Sequence, residues 1–208
     1  MGGYISIRPE DDKNACQASE WCDTLIRELE HRTPHIHVTD RGGYACSRND
    51  VEAALWGPGD LVFYFGHGDS GCWLNGSSQI YDSVNAAAAA GKAVVSIACK
   101  TSAVLASNAV TAGVVAWLGF NSQVACIPKL AGTDYVGDAI ALALSCLGFS
   151  ATMQEATDAV VSELHRLTQE YDTGALSGWS MAAFAYFGTS VMRDHCVLEG
   201  NKTHRPLN

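Results

Sequence analysis

Two residues capable of nucleophilic chemistry stand at matching places in the chain. His67 closes the run Leu61-Val62-Phe63-Tyr64-Phe65-Gly66-His67-Gly68, and Cys99 closes the run Ala93-Val94-Val95-Ser96-Ile97-Ala98-Cys99. A thiol is nucleophilic as its thiolate, and a nearby imidazole can take the proton or, once protonated, favour the anion. Cys99 falls where an apolar run gives way to Thr101 to Thr111, which reads as a helix. Its sulfur would then face the positive helix end, and its own N–H would point at a developing oxyanion. Gly68 has no side chain and leaves a second N–H accessible beside the histidine. A nucleophile, a base and two oxyanion donors are the requirement for acyl transfer.

Bringing these groups together requires that the two runs be neighbouring strands. Continuous apolar stretches rich in β-branched and aromatic residues suit strands buried on both faces of a parallel sheet. The residues between them, including the helical-looking Val84 to Ala90 closed by Gly91, suffice for the crossover that parallel strands need. Adjacent strands lie about 4.8 Å apart, so His67 and Cys99 are expected at one sheet edge.

The remaining elements alternate in kind. Tyr4 to Ile7 reads as a strand stopped by Pro9, and Ala15 to His31 as a helix with Trp21, Leu25, Ile26 and Leu29 at helical spacing. His35 to Val38 reads as a second strand, and a helix capped by Ser47 or Asn49 runs through Leu55. Cys72 to Ser83 is expected to be irregular or a small hairpin, Val114 to Phe120 a fifth strand, and Ala125 to Thr133 a loop. Asp134 to Leu147 and Thr152 to Tyr171 read as helices split by Gly148, Met181 to Met192 as a final strand and turn, and the tail after Cys196 as loose. Such alternation predicts a three-layer α/β/α sandwich with a mostly parallel sheet, and residues 1–208 are expected to form one domain.

Charge and composition narrow the partners. A net charge of −9 argues against nucleic acid and anionic membrane, which bind clustered Lys and Arg. No run approaches the roughly 18 apolar residues of a membrane span, and the first residues lack the pattern of a secretory signal, so a cytoplasmic location is expected. The eight cysteines are scattered, without a Cys-x-x-Cys pair, and are read mostly as reduced core thiols. His31, His35 and His37 have no carboxylate or Cys partner at recognisable spacing, so no metal is expected there. No other cofactor is expected either.

The apolar strand ending in Gly66-His67-Gly68, followed by the apolar strand ending in Ala98-Cys99-Lys100-Thr101-Ser102, resembles the catalytic signature of the caspase-like cysteine peptidases. The likeness is nearest to their bacterial CHAT and gingipain-like branches and runs from about Asp60 to Met192. It implies a caspase-like fold, a His67–Cys99 dyad, an oxyanion hole from the N–H groups of Gly68 and Cys99, and a protein or peptide substrate. It further implies regulated proteolysis, such as defence or cell death, and leaves room for an activating protein partner. Ile97 stands where several protease members carry a polar or acidic residue of the P1 pocket, which receives the substrate side chain preceding the cut. Preference for Arg or Lys is therefore not legible there, although Asp69 or Asp134 could supply a charge. Substrate is expected to lie along Gly119 to Val124, with Phe120, Asn121 and Gln123 giving selectivity. The competing readings are a non-catalytic caspase-like interaction module and a Cys–His acyltransferase or amidohydrolase.

Overall fold

A computed structural model describes residues 2–32, 38–43 and 46–207. Five parallel strands form most of a central sheet: β1 (Tyr4–Arg8), β2 (Val38–Gly42), β3 (Leu61–Phe65), β7 (Ala93–Ile97) and β8 (Ala116–Phe120). Their spatial order is β2-β1-β3-β7-β8, and β9 (Cys196–Gly200) pairs antiparallel with β8 at the far edge. Between β3 and β7 the chain makes a second, three-stranded antiparallel sheet from β4 (His67–Asp69), β5 (Cys72–Asn75) and β6 (Ser78–Asp82).

The period of two along the strands divides the core. Leu61, Phe63 and Phe65 of β3 face one apolar layer, while Val62 and Tyr64 face the other. On the first face lie α1 (Lys13–Arg32), α4 (Tyr135–Leu144), α5 (Met153–Asp172) and α6 (Ala182–Asp194). Trp21, Leu25 and Leu29 of α1 are fully buried there, one helical turn apart; a Leu side chain so placed contributes about 1.5–3 kcal/mol relative to exposure. On the second face lie α2 (Arg48–Trp56), α3 (Leu105–Thr111) and the small sheet, whose Trp73 stacks on Tyr64 at 4.3 Å. The fold is thus the expected mostly parallel α/β sandwich.

Several boundaries differ from the sequence reading. Met181 to Met192 is helix rather than strand: Ala182, Ala185, Gly188, Thr189 and Met192 are buried at helical spacing, a period masked in the sequence by the aromatic content of the same stretch. The tail after Cys196 is ordered, because β9 finds open backbone groups along β8. The helix after Cys99 begins only at Leu105, preceded by turns, and the crossover helix shrinks to a 3₁₀ turn at Ala86–Ala89. Within Cys72 to Ser83 the hairpin reading holds, since β5 and β6 pair antiparallel, and β4 extends it to a third strand. Strand β2 starts at Val38, and His35 to His37 lie outside the described residues. Only Cys22, Cys46 and Cys72 of the eight cysteines are buried, and all eight are free.

Candidate active site

Parallel strands deliver their following residues to the same edge of the sheet, where α/β proteins build their sites. Here four adjacent strands do so in spatial order. Asp12 follows β1, His67 follows β3, Cys99 follows β7 and Val124 follows β8.

Asp12 has two partnerships. Its Oδ1 accepts the N–H groups of Asn14 at 2.8 Å and Ala15 at 2.9 Å, capping the start of α1. The same oxygen lies 2.9 Å from Nε2 of His67. The Ala15 bond first, then the His67 bond and last the Asn14 bond hold the Asp12 carboxyl below the usual carboxylate range. A carboxylate offers only lone pairs, so Nε2 carries the proton and Nδ1 is left as the basic nitrogen. The backbone of His67 is held separately: the Tyr64 hydroxyl bonds to the carbonyls of His67 and Leu74 and accepts the Leu74 N–H at 3.2 Å.

That hydroxyl sits between the facing groups of His67 and Leu74, which marks them as a pair whose N–H and C=O point at one another. Alternation then makes Gly68, opposite Trp73, a pair whose N–H turns away from β5. Gly68 presses on the turn after the thiol. A Cβ there would lie 2.5 Å from Thr101 Cγ2 and 3.0 Å from the Cys99 carbonyl oxygen. Only glycine fits.

Cys99 leaves β7 in a turn whose next residue, Lys100, has φ of 59°. This left-handed conformation costs a non-glycine residue about 1–2 kcal/mol, and backbone contacts impose it. Lys100 N–H donates to Ser122 C=O at 2.8 Å, and Ser102 N–H to Phe120 C=O at 3.0 Å. Beneath the turn, Trp73 Nε1 donates to Ser96 Oγ, which bonds Thr101 Oγ1, both at 3.0 Å. The Cys99 sulfur itself accepts the Val124 N–H at 3.3 Å, and the Cys99 N–H has no backbone acceptor among the described residues. No hydrogen bond joins Cys99 to His67; both border one cleft of about 460 Å³.

The expected substrate residues separate. Ile97 and Gln123 line that cleft. Phe120 does not: its side chain is 0% exposed and fills the core. Asn121 instead ties β8 to the start of β9, its Oδ1 lying 2.7 Å from His195 Nδ1 and its N–H donating to His195 C=O. The first part of Gly119 to Val124 offers no free sheet edge, because β9 covers β8 and the turn after Cys99 takes the carbonyls of Phe120 and Ser122. The cleft is bordered instead by Gln123 to Cys126, opposite Phe184, Phe187, Gly188 and Val191 of α6. Asp69 caps the hairpin turn by accepting the Ser70 N–H, and Asp134 accepts from Gln17, Trp21 and Gly137 beside a different cleft. Trp73 and Trp117 are buried in the core.

Asp12 and α6 were the features that sequence reasoning missed. An acidic residue between the first strand and its helix was a signal for Asp12, but its use depends on β1 lying beside β3, which the pattern alone does not give.

Solved structures share this fold. A complex of the pro- and mature domains of Porphyromonas gingivalis RgpB superposes with TM-score 0.67 at 12% identity, over 99% of this chain and 48% of that one. The Arg specific cysteine proteinase gingipain R gives TM-score 0.67 at 10% identity, over 98% and 47%. A structure described as a protease gives 0.59 at 13%, over 97% and 48%. The chain therefore has the fold of the caspase-like cysteine peptidases and spans about half the length of these neighbours. No protein-family model and no curated protein matches it in sequence. Among the described residues no helix is long and apolar enough to cross a membrane.

Proposed function

We propose that residues 1–208 act as one caspase-like unit, a cysteine peptidase that cleaves a protein or peptide partner through Cys99. The observation that supports this most directly is the convergence of Asp12, His67, Cys99 and Val124 from four adjacent strands, with the His67 ring held at 2.9 Å by Asp12. In the proposed reaction the Cys99 sulfur attacks the scissile carbonyl carbon, and His67 Nδ1 takes the thiol proton and passes it to the departing amine. The oxyanion is received by the N–H groups of Gly68 and Cys99. Water, deprotonated by the same imidazole, then hydrolyses the thioester. The gap between His67 and Cys99 suits a substrate that enters between base and nucleophile, since such contacts tighten only around bound substrate. Asp12 orients the imidazole and stabilises its charged form.

The motifs around His67 and Cys99 favour a CHAT-like or gingipain-like bacterial member of this class, and the proposal extends to a cytoplasmic place in regulated proteolysis, with room for an activating protein partner. A peptide acyloxymethyl ketone, which alkylates an attacking thiolate, tests the core of this reading. Intact-mass analysis should show one adduct on the wild type and none on Cys99→Ala, with matching loss of peptide cleavage. An adduct of equal extent on Cys99→Ala would defeat it.

A further inference from the structure

The cleft beside Cys99 is lined mainly by apolar residues, with Asn14, His67, Cys99 and Gln123 as its polar lining. Its floor is Ile97, its near wall Val124, Ala125 and Cys126, and its far wall one face of α6. Phe184, Phe187, Gly188 and Val191 fall at positions i, i+3, i+4 and i+7 of that helix, which aligns them on a single stripe. Gly188 lets the helix approach closely, for a Cβ there would lie 2.7 Å from Ala125 Cβ. Burial pushes the Cys126 thiol up to about 12, so this wall remains neutral.

No carboxylate lines the cleft among the described residues. Asp12 is committed to the start of α1 and to His67. Asp69 and Asp134, the acids the sequence offered, point elsewhere. A substrate guanidinium or ammonium placed here would lose water without finding a counter-charge, and a substrate carboxylate would find no Lys or Arg, only the His67 imidazole that the reaction itself uses.

We infer that the cleft formed by Ile97, Val124 and the Phe184–Val191 stripe of α6 is a specificity pocket for an apolar side chain, so that the enzyme cuts after Leu, Met or Phe. The inference rests on the peptidase reading and adds the substrate class to it. The solved neighbour described as Arg specific has a different preference on the same fold.

The test uses peptide acyloxymethyl ketones identical except for Leu, Phe, Arg or Asp next to the warhead, with the rate of Cys99 labelling read by intact mass. Leu and Phe probes should label on the order of 10²-fold faster than Arg and Asp probes. Phe187 is 67% exposed, so Phe187→Glu should leave the melting temperature in place. It should slow the Leu and Phe probes and speed the Arg probe, closing the gap to within about tenfold. An Arg or Asp probe that labels wild-type Cys99 as fast as the Leu probe overturns the apolar pocket and leaves the peptidase reading intact. A ratio unmoved by Phe187→Glu overturns the α6 wall. Absence of Cys99 labelling by every probe overturns the peptidase reading and this inference with it.

Discussion

Asp12 caps the first helix and holds Nε2 of His67 at 2.9 Å, so one carboxylate joins the start of α1 to the end of β3. The two roles can be separated by substitution. Asparagine caps a helix as well as aspartate does but lacks the charge that stabilises an imidazolium. Asp12→Asn should therefore keep the melting temperature near that of the wild type at neutral pH while lowering kcat about 10-fold or more, within the range expected for impaired general-base catalysis. Asp12→Ala should lower both, with a stability loss of about 1 kcal/mol from the missing cap. An unchanged kcat in Asp12→Asn would remove Asp12 from the reaction.

The same carboxylate predicts a pH effect. Its folded-state value lies below the ordinary carboxylate value of about 4. The unfolded chain therefore binds the proton more readily, and the stabilisation is present above the unfolded value and lost as pH falls through the folded one. The exposed side chain keeps the effect small. The melting temperatures of the wild type and Asp12→Leu should differ most near neutral pH and converge toward pH 3. A gap that widens in acid contradicts the assignment.

Cys99→Ala and His67→Ala should each abolish cleavage with the fold intact, since both side chains border a cleft and neither fills the core. Because they act as a unit, the double variant should lose little more than either single one. A His67→Ala variant that retains more than about a tenth of the wild-type rate would contradict a base role.

The sequence already brought His67 and Cys99 to one sheet edge, because two buried apolar runs with a crossover between them admit few other arrangements. It also singled out Gly68, for an accessible N–H, but not the contact that requires glycine there. That contact is long-range: Thr101 packs where a Cβ would go. Gly68→Ala should reduce turnover on the order of 10²-fold by displacing an oxyanion donor. Thr101→Ser, which removes Cγ2 but keeps the hydroxyl bonded to Ser96, should restore part of that loss in the double variant. Additive losses would mean that the methyl contact does not set the position of Gly68.

The turn beneath the nucleophile should depend on the buried relay from Trp73 through Ser96 to Thr101. Ser96→Ala leaves the indole N–H and the threonine hydroxyl without that partner in a fully buried site, at a cost of about 1–3 kcal/mol. Trp73→Phe in the same background removes one orphaned donor, so thermal or urea unfolding should show the double variant losing less than the sum. Strict additivity would mean the two side chains are not coupled.

Selectivity was misread at Phe120, which is buried in the core, because the sequence concealed β9: a segment after a strand looks like solvent-facing loop until another strand is seen to pair there. Asn121 closes the β8–β9 junction through His195, and Gln123 borders the cleft. Asn121→Ala should lower the melting temperature, by an amount equivalent to about 1 kcal/mol for a lost side-chain hydrogen bond, and leave the ranking of peptide substrates unchanged. Gln123→Ala should do the reverse, altering the cleavage profile with little effect on stability, because its side chain is exposed. A cleavage profile that shifts with Asn121→Ala and stays fixed with Gln123→Ala would place the peptide along β8 after all, and the wall formed by Gln123 to Cys126 would lose its role.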